Sequence, residues 1–307
     1  MKYLPFLKGK YSTAPGLLLM QQAEQPGDKL VFQIDETYDQ YLQNKKNCRT
    51  EDINKYYTQA RLFPDTAIAV NRFLVTQLVL EYPSIFFFNQ TQKGYQLQNR
   101  QTGETIEWQN DWLETKNQTY LTLFDALCCQ VPEDIAICQL SGDQDWLAAL
   151  HLCAPNHWAA QDKIGKTFGA IHAAIPEMEK TNRHYFKMLE LLVQKGPYTR
   201  FAWGISTDNR LNHHPEPPPY QNPDLWQGRQ IEPDTKHLYV RVERQNLIGL
   251  PQVNAFIFTI RTYFYHLVSL EKPEKTALLA AIESMTDKSQ HYKGIAGKTE
   301  ILRSWLT

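Results

Sequence analysis

The sequence predicts an α+β fold in which helices cover an antiparallel sheet. Five segments between residues 134 and 263 have strand character, and the last three of them show the alternation of apolar and polar side chains that is typical of strands. A tight turn, Ser141–Asp143, joins the first two of these segments, so they should form an antiparallel hairpin. Apolar residues at helical spacing occur before, within and after this region. Strands and helices are therefore both expected throughout the chain.

The N-terminal region is expected to be mainly helical. Asp35 can cap a first helix, and a second polar helical segment is predicted from Glu51 to Ala60. Pro64 suits the first turn of a longer helix that ends near Pro83. The apolar stripe of that helix consists of Ala67, Val70, Leu74 and Leu78.

A hairpin is predicted after this helix. Alternating apolar residues occur on both arms, and residues 99–103 form the turn. The apolar residues of the two arms are Tyr95, Leu97, Ile106 and Trp108. We expect this N-terminal region to pack against the main domain as an extension.

The central region contains the five predicted strands and a helical insertion. The strands are Asp134–Leu140, Trp146–Cys153, Arg200–Ser206, Leu238–Gln245 and Ala255–Tyr263. A helix is predicted from Asn182 to Lys195, because its apolar residues share one face and Gly196 and Pro197 end it. A long proline-rich loop follows at Leu211–Asp234. The chain closes with helices near Lys275–Met285 and Lys298–Trp305.

Two strands, a helical insertion and three further strands follow the order of a PAS-like domain. In such a domain a five-stranded antiparallel sheet holds a ligand beneath its helices. Another α+β sandwich has the same order, and the pattern alone does not decide between them. The expected division is a helical and hairpin extension at 1–120, a PAS-like core at 121–270 and C-terminal helices at 271–307.

Composition excludes several classes of function. The chain has 307 residues, a net charge of −1 and a pI of about 6.8, so neither a nucleic-acid footprint nor a basic membrane patch is expected. No apolar stretch reaches transmembrane length. The five cysteines form no CxxC motif, which argues against a zinc or iron–sulfur site. An odd cysteine count without a secretion signal predicts reduced thiols in the cytoplasm.

Three ordered motifs contain candidate site residues. The segment 158–176 places His172 in a predicted short loop ahead of Pro176. The imidazole of this histidine could bind a metal or heme iron. The segment 200–204 begins with Arg200, which could pair with a carboxylate or polarise bound oxygen. The third motif, 239–251, carries charged residues on a predicted strand. Taken singly, each has an ordinary explanation: a loop histidine bonded to backbone, a strand-end arginine and a solvated salt bridge.

Together these motifs resemble the heme-dependent oxidative N-demethylase alpha-subunit family. The resemblance covers most of the chain and is strongest from about Glu133 to Leu267. Ala173 and Ala202 stand where relatives carry proline and asparagine, and Gly249 and Asn254 are lesser departures. The fold implied is a PAS-like heme domain.

The resemblance also implies roles for individual residues. His172 would be the metal ligand, on the axis of heme b, and Arg200 and Glu243 would be catalytic. The cofactor-binding residues implied are His172, Lys163, Arg200, Trp203, Arg241, Arg244 and Gln245.

The activity implied is oxidation of a methyl group on a small amine by O2, with loss of formaldehyde. The chain has no flavin, nicotinamide or iron–sulfur motif, so electrons are expected from a separate flavin or iron–sulfur reductase. The alternatives are a non-catalytic PAS-like module that senses heme or a small ligand, and a structural relative without heme. His151 and His157 are alternative iron ligands, whereas His213 and His214 are expected to be exposed to solvent.

Overall fold

The computed structural model describes residues 2–307, except for the side chains of residues 179–183. The longer α-helices are α1 (Tyr38–Tyr56), α2 (Pro64–Glu81), α3 (Leu123–Cys128), α4 (Phe168–His172), α5 (Glu179–Gln194), α6 (Pro223–Trp226), α7 (Lys272–Glu283), α8 (Asp287–Lys293) and α9 (Thr299–Leu306). The strands are β1 (Leu18–Leu19), β2 (Tyr57–Gln59), β3 (Phe86–Thr91), β4 (Gly94–Asn99), β5 (Thr105–Trp108), β6 (Asp134–Ser141), β7 (Gln144–His151), β8 (Tyr198–Ser206), β9 (Tyr239–Leu250) and β10 (Ala255–His266). The α+β class is confirmed.

The main sheet has seven strands, so the predicted count of five is wrong. Its order is β1-β8-β9-β10-β6-β7-β2, and every neighbouring pair is antiparallel. All five predicted strands are present and occupy the middle of the sheet. The two additional strands are short edge strands, and their two or three residues give too little alternation to be recognised in sequence.

The predicted N-terminal hairpin is confirmed, with Leu97 opposite Ile106 and Tyr95 opposite Trp108. A further strand, β3, pairs with β4 and makes this a three-stranded sheet. The helix predicted from Glu51 to Ala60 is only partly present. It ends at Tyr56 after a break at Asp52, and the chain then turns into β2 because Tyr57 pairs with the free edge of β7.

The two faces of the main sheet pack against different elements. One face is covered by the insertion between β7 and β8, whose helix α5 buries Leu189 and Leu192 against Leu247 and Phe256. The other face is covered by the C-terminal helices at β8 and β9, and by α2, α3 and the small sheet at β6 and β7. The insertion shares its side of the sheet with the proline-rich loop, whose Leu211 and His213 contact Arg241.

The core on the second face joins residues from both sides of the division predicted at residue 120. Leu74 of α2 and Trp108 of β5 share it with Ile137 of β6. The three-part division of the chain stays a prediction.

The sequence predicted two of the C-terminal helices, α7 and α9, and the structure adds α8 between them. No helix among residues 2–307 is long and apolar enough to cross a membrane.

Candidate cofactor pocket

Six residues of β8 and β9 line the sheet face beneath the insertion. In antiparallel strands, directly paired residues point to the same side, and so do residues two apart. The cross-strand pairs on this side are Arg200 with Gln245, Ala202 with Glu243, and Gly204 with Arg241. The pairing of β8 with β9 thus brings four predicted site residues together on one face: Arg200, Arg241, Glu243 and Gln245.

Trp203 and Arg244 lie on the opposite face. Trp203 packs in the core of the C-terminal helices, with its ring 5.7 Å from that of Phe6. The guanidinium of Arg244 donates to the backbone carbonyls of Asp28 and Leu30, both at 2.8 Å. The structure does not bring these two residues together with His172, because strand alternation points them away from it.

His172 is the last residue of α4, and the prediction that it lies in a loop is wrong. The short helix forms because the hydroxyl of Thr167 accepts from the N–H of Ala170 at 3.2 Å, which caps its first turn. Nδ1 of His172 lies 2.8 Å from the carbonyl oxygen of Phe168 and must carry the hydrogen, since a carbonyl only accepts. The Phe168 ring stacks on the imidazole at 3.9 Å. Nε2 therefore keeps its lone pair in a ring of fixed orientation.

The imidazole of His172 is neutral at neutral pH. Burial lowers its pKa to about 4, and the positive charges of Arg200 and Lys163 add to the effect. Lys163 also donates from Nζ to the carbonyl of Ile171 at 3.0 Å, so it holds the C-terminal end of α4. A neutral imidazole with a free nitrogen is the form that binds a metal ion.

Two arginines at this face are partly buried without a partner. Nε of Arg200 is buried and donates to no acceptor among the described residues. Arg229, which the sequence did not single out, likewise enters no hydrogen bond or ion pair with the described residues. Burial lowers the pKa of Arg200. Burial also lowers the pKa of Arg229, to about 10, and the positive charge of Arg241 lowers it further. Unpaired buried cations are costly, so they indicate an anionic ligand.

Glu243 is the carboxylate of this face, and amide groups hold it. Its Oε1 accepts from Nδ2 of Asn156 at 3.2 Å, and its Oε2 accepts from Nε2 of Gln245 at 2.9 Å. Nε of Arg241 lies 3.8 Å away. The Arg241–Glu243 pair is not the solvated salt bridge that a charged strand face usually carries, because the Arg241 side chain is only 2% exposed.

Arg241 connects this carboxylate to a buried histidine. It donates to the carbonyls of Ala154, Pro155 and Leu211 and to Nδ1 of His213. The prediction that His213 and His214 are exposed is wrong, since they are 1% and 4% exposed. The arginine and the backbone of the proline-rich loop supply the hydrogen bonds that let them be buried. The residues next to His213 and His214 in the sequence do not indicate these partners, because the partners come from distant segments.

His157 lies beside this network. Its φ is +64°, in the left-handed region that few residues other than glycine adopt, and its ring stacks on that of His213 at 5.3 Å. Burial lowers its pKa to about 2, with contributions from Arg229, His213 and Arg241. The other alternative ligand, His151, pairs with Ile135 on the opposite face of the sheet and does not reach the pocket.

The floor of the pocket is flat where the motif residues meet. A Cβ added at Gly204 would meet no atom within 4 Å, and Ala202 extends only a methyl group. The arrangement thus combines a free neutral imidazole, two unpaired arginines, one carboxylate and an uncrowded strip of sheet. A free imidazole suits a metal ion, and unpaired guanidinium groups suit carboxylates.

Comparison with protein families supports this interpretation. The model of a family described as haem-dependent oxidative N-demethylase, alpha subunit-like, matches residues 24–302 of the 307. The match spans the N-terminal region, the pocket and the C-terminal helices. The chain therefore belongs to the haem-dependent oxidative N-demethylase alpha-subunit-like family.

Proposed function

We propose that the chain binds heme b on the insertion face of the sheet, with Nε2 of His172 as the axial ligand of the iron. The observation that carries the proposal is the His172 ring, which is neutral, held at Nδ1 and free at Nε2. The order β8-β9-β10-β6-β7 in the middle of the sheet supports a PAS-like core for this site.

The charges of the pocket fit the two carboxylates of heme. Arg200 and Arg229 each offer a guanidinium that no described side chain pairs, and each would bind one propionate. Gly204 leaves room for the edge of a flat ring. Lys163 and Gln245 would brace the site through the carbonyl of Ile171 and through Glu243. Trp203 and Arg244 would support β8 and β9 from the other face.

The reaction proposed is oxidative N-demethylation of a small amine, in which amine, O2, two electrons and two protons give the demethylated amine, formaldehyde and water. Heme supplies the oxygen-activating chemistry, and a separate flavin or iron–sulfur reductase supplies the electrons. Glu243 would accept a hydrogen bond from the amine N–H and so orient its methyl group. Asn156 and Arg241 would keep that carboxylate fixed. We place the protein in the cytoplasm, as its thiol content suggests.

Titration with hemin tests the cofactor proposal. The wild-type protein should develop a stoichiometric Soret band, and His172→Ala should shift or lose it. His291→Ala is the control, because that histidine is exposed on α8 and should bind heme as the wild type does. A wild-type protein with no specific band would overturn the proposal.

Turnover is tested separately. The heme-loaded protein, incubated with a reductase and methylated amines, should release formaldehyde. Heme binding with no formaldehyde from any small methylamine would reject the oxygenase and leave the alternative, a non-catalytic heme-binding module. The alanines at 173 and 202, where relatives have proline and asparagine, are the observation behind that alternative.

A further inference from the structure

A second group of metal-binding side chains lies on the opposite face of the sheet from the pocket. Cys129 follows the end of α3, His151 is the last residue of β7 and Asp125 lies within α3. Sγ of Cys129 is 3.7 Å from Nε2 of His151, which is 3.2 Å from Oδ1 of Asp125. The three ligand atoms lie within 4.8 Å of one another. One thiol, one imidazole and one carboxylate thus converge on one point.

Two of these separations, 3.7 Å and 3.2 Å, match a tetrahedral zinc site. Bonds of about 2.0–2.3 Å at tetrahedral angles place nitrogen, oxygen and sulfur ligands roughly 3.2–3.8 Å apart. The chemical types match as well, because zinc accepts thiolate, imidazole and carboxylate ligands together.

Two further groups hold the carboxylate. Arg49 donates to Oδ1 of Asp125, and the N–H of Leu121 donates to Oδ2 at 2.8 Å. The other ring nitrogen of His151, Nδ1, lies 3.8 Å from Sγ of Cys153. Asp125 and His151 have no exposed side-chain surface. Hydrogen bonds that hold a ligating carboxylate, as those from Arg49 and Leu121 do, are a regular feature of zinc sites.

We propose that Asp125, Cys129 and His151 bind a zinc ion, with water as the fourth ligand. On binding, the Cys129 thiol loses its proton to solvent and forms the S–Zn bond. Nε2 of His151 loses to solvent the hydrogen that it donates to Asp125 and binds the ion, and the neutral ring then carries its hydrogen on Nδ1. The ion would tie the end of α3 to the end of β7, and Arg49 would extend this link to α1. The site is independent of the heme pocket and stands whether or not heme binds.

Sequence spacing argued against zinc, because no two cysteines form a CxxC pair. Cys129 follows the end of a helix and His151 is the last residue of a strand. They are 22 residues apart in the sequence, and only the packing of the chain brings them together. A pattern search for closely spaced cysteines therefore misses this set.

Metal analysis of the full-length protein tests the proposal. Purified from zinc-supplemented medium, the wild type should contain one zinc per chain. After replacement of zinc by Co²⁺ it should show a thiolate-to-cobalt charge-transfer band. Cys129→Ser and His151→Gln should lose at least tenfold in zinc affinity, and circular dichroism checks that they fold.

Cys153→Ser is the matched control. Its sulfur contacts the same imidazole but on the Nδ1 side, so the variant should keep both the zinc and the cobalt band. A wild type that binds no stoichiometric zinc and shows no cobalt–thiolate band would overturn the proposal and leave a metal-free Asp–His–Arg network. Equal loss of zinc in Cys153→Ser would overturn the ligand assignment. None of these readouts depends on heme.

Discussion

The guanidinium of Arg241 donates from Nη1 to Nδ1 of His213 across 2.8 Å, and both side chains are buried. An arginine cannot accept a hydrogen bond, so Nδ1 of His213 must be the unprotonated nitrogen. The hydrogen is then on Nε2, which donates to Oδ1 of Asp208 at 2.9 Å. This chain of contacts fixes the tautomer of His213. It also holds Arg241 beside Glu243, the carboxylate that we propose orients the substrate.

Removal of His213 should destabilise the protein strongly. In His213→Ala the buried Arg241 loses an acceptor and Asp208 loses a donor, so we expect the free energy of unfolding to fall by about 2–4 kcal/mol. Urea denaturation measures the change. His291→Ala, at an exposed position, should stay within about 0.5 kcal/mol of the wild type. A His213→Ala protein as stable as that control would show that the network contributes nothing.

The heme-free protein should lose stability as the pH falls from about 6.5 towards 4. The folded-state pKa of His172 is about 4 and that of His157 about 2, both below the ordinary value of 6.5. The unfolded chain therefore binds protons in this window that the folded chain does not. Each histidine contributes stability that is fully present above about pH 6.5 and decreases by up to about 1.4 kcal/mol per pH unit below it.

The measurement is urea unfolding at several pH values across this window. His172→Ala removes one of the histidines with a lowered pKa, so its stability should fall less steeply with pH than that of the wild type. Parallel curves for the two proteins would mean that His172 is not buried as a neutral ring.

Replacing either unpaired arginine should weaken heme binding without destabilising the fold. Arg200→Gln and Arg229→Gln each remove one proposed propionate partner, and we expect hemin affinity to fall about tenfold, equivalent to about 1.4 kcal/mol. The heme-free proteins should be as stable as the wild type or more so, because a buried unpaired cation is removed.

Soret titration and urea unfolding of the same two variants give both quantities. Lys298→Gln serves as the control, since it breaks only a surface pair with Glu232. Unchanged hemin affinity in both arginine variants would place the propionates elsewhere.

Two glycines of the sheet should respond oppositely to alanine. A Cβ at Gly249 would lie 2.1 Å from the carbonyl oxygen of Val193, so α5 must move and Gly249→Ala should cost at least about 2 kcal/mol. Gly204→Ala meets no atom within 4 Å and should fold normally, but its methyl group enters the pocket and should lower hemin affinity. Thermal unfolding and Soret titration of both variants check this. Equal stability of the two would contradict the packing of α5 on Gly249.

Local patterns were sufficient for most of the secondary structure. Alternation in Phe201, Trp203 and Ile205 marked β8, and the stripe through Val70 and Leu74 marked α2, because burial of one face imposes a period on the chain. The three motifs also pointed to the family that the family model shows.

Tertiary packing decided what those patterns could not. The edge strand β2 exists because β7 offers it an unpaired edge, and His213 is buried because Arg241 reaches it from β9. Arg229 joins the pocket from a proline-rich loop, where its sequence neighbours carry no period. The sequence by itself determined the five central strands, most of the longer helices and the family, since these depend on neighbours along the chain. Only the folded structure decided which charges stay unpaired, because each partner comes from a distant segment.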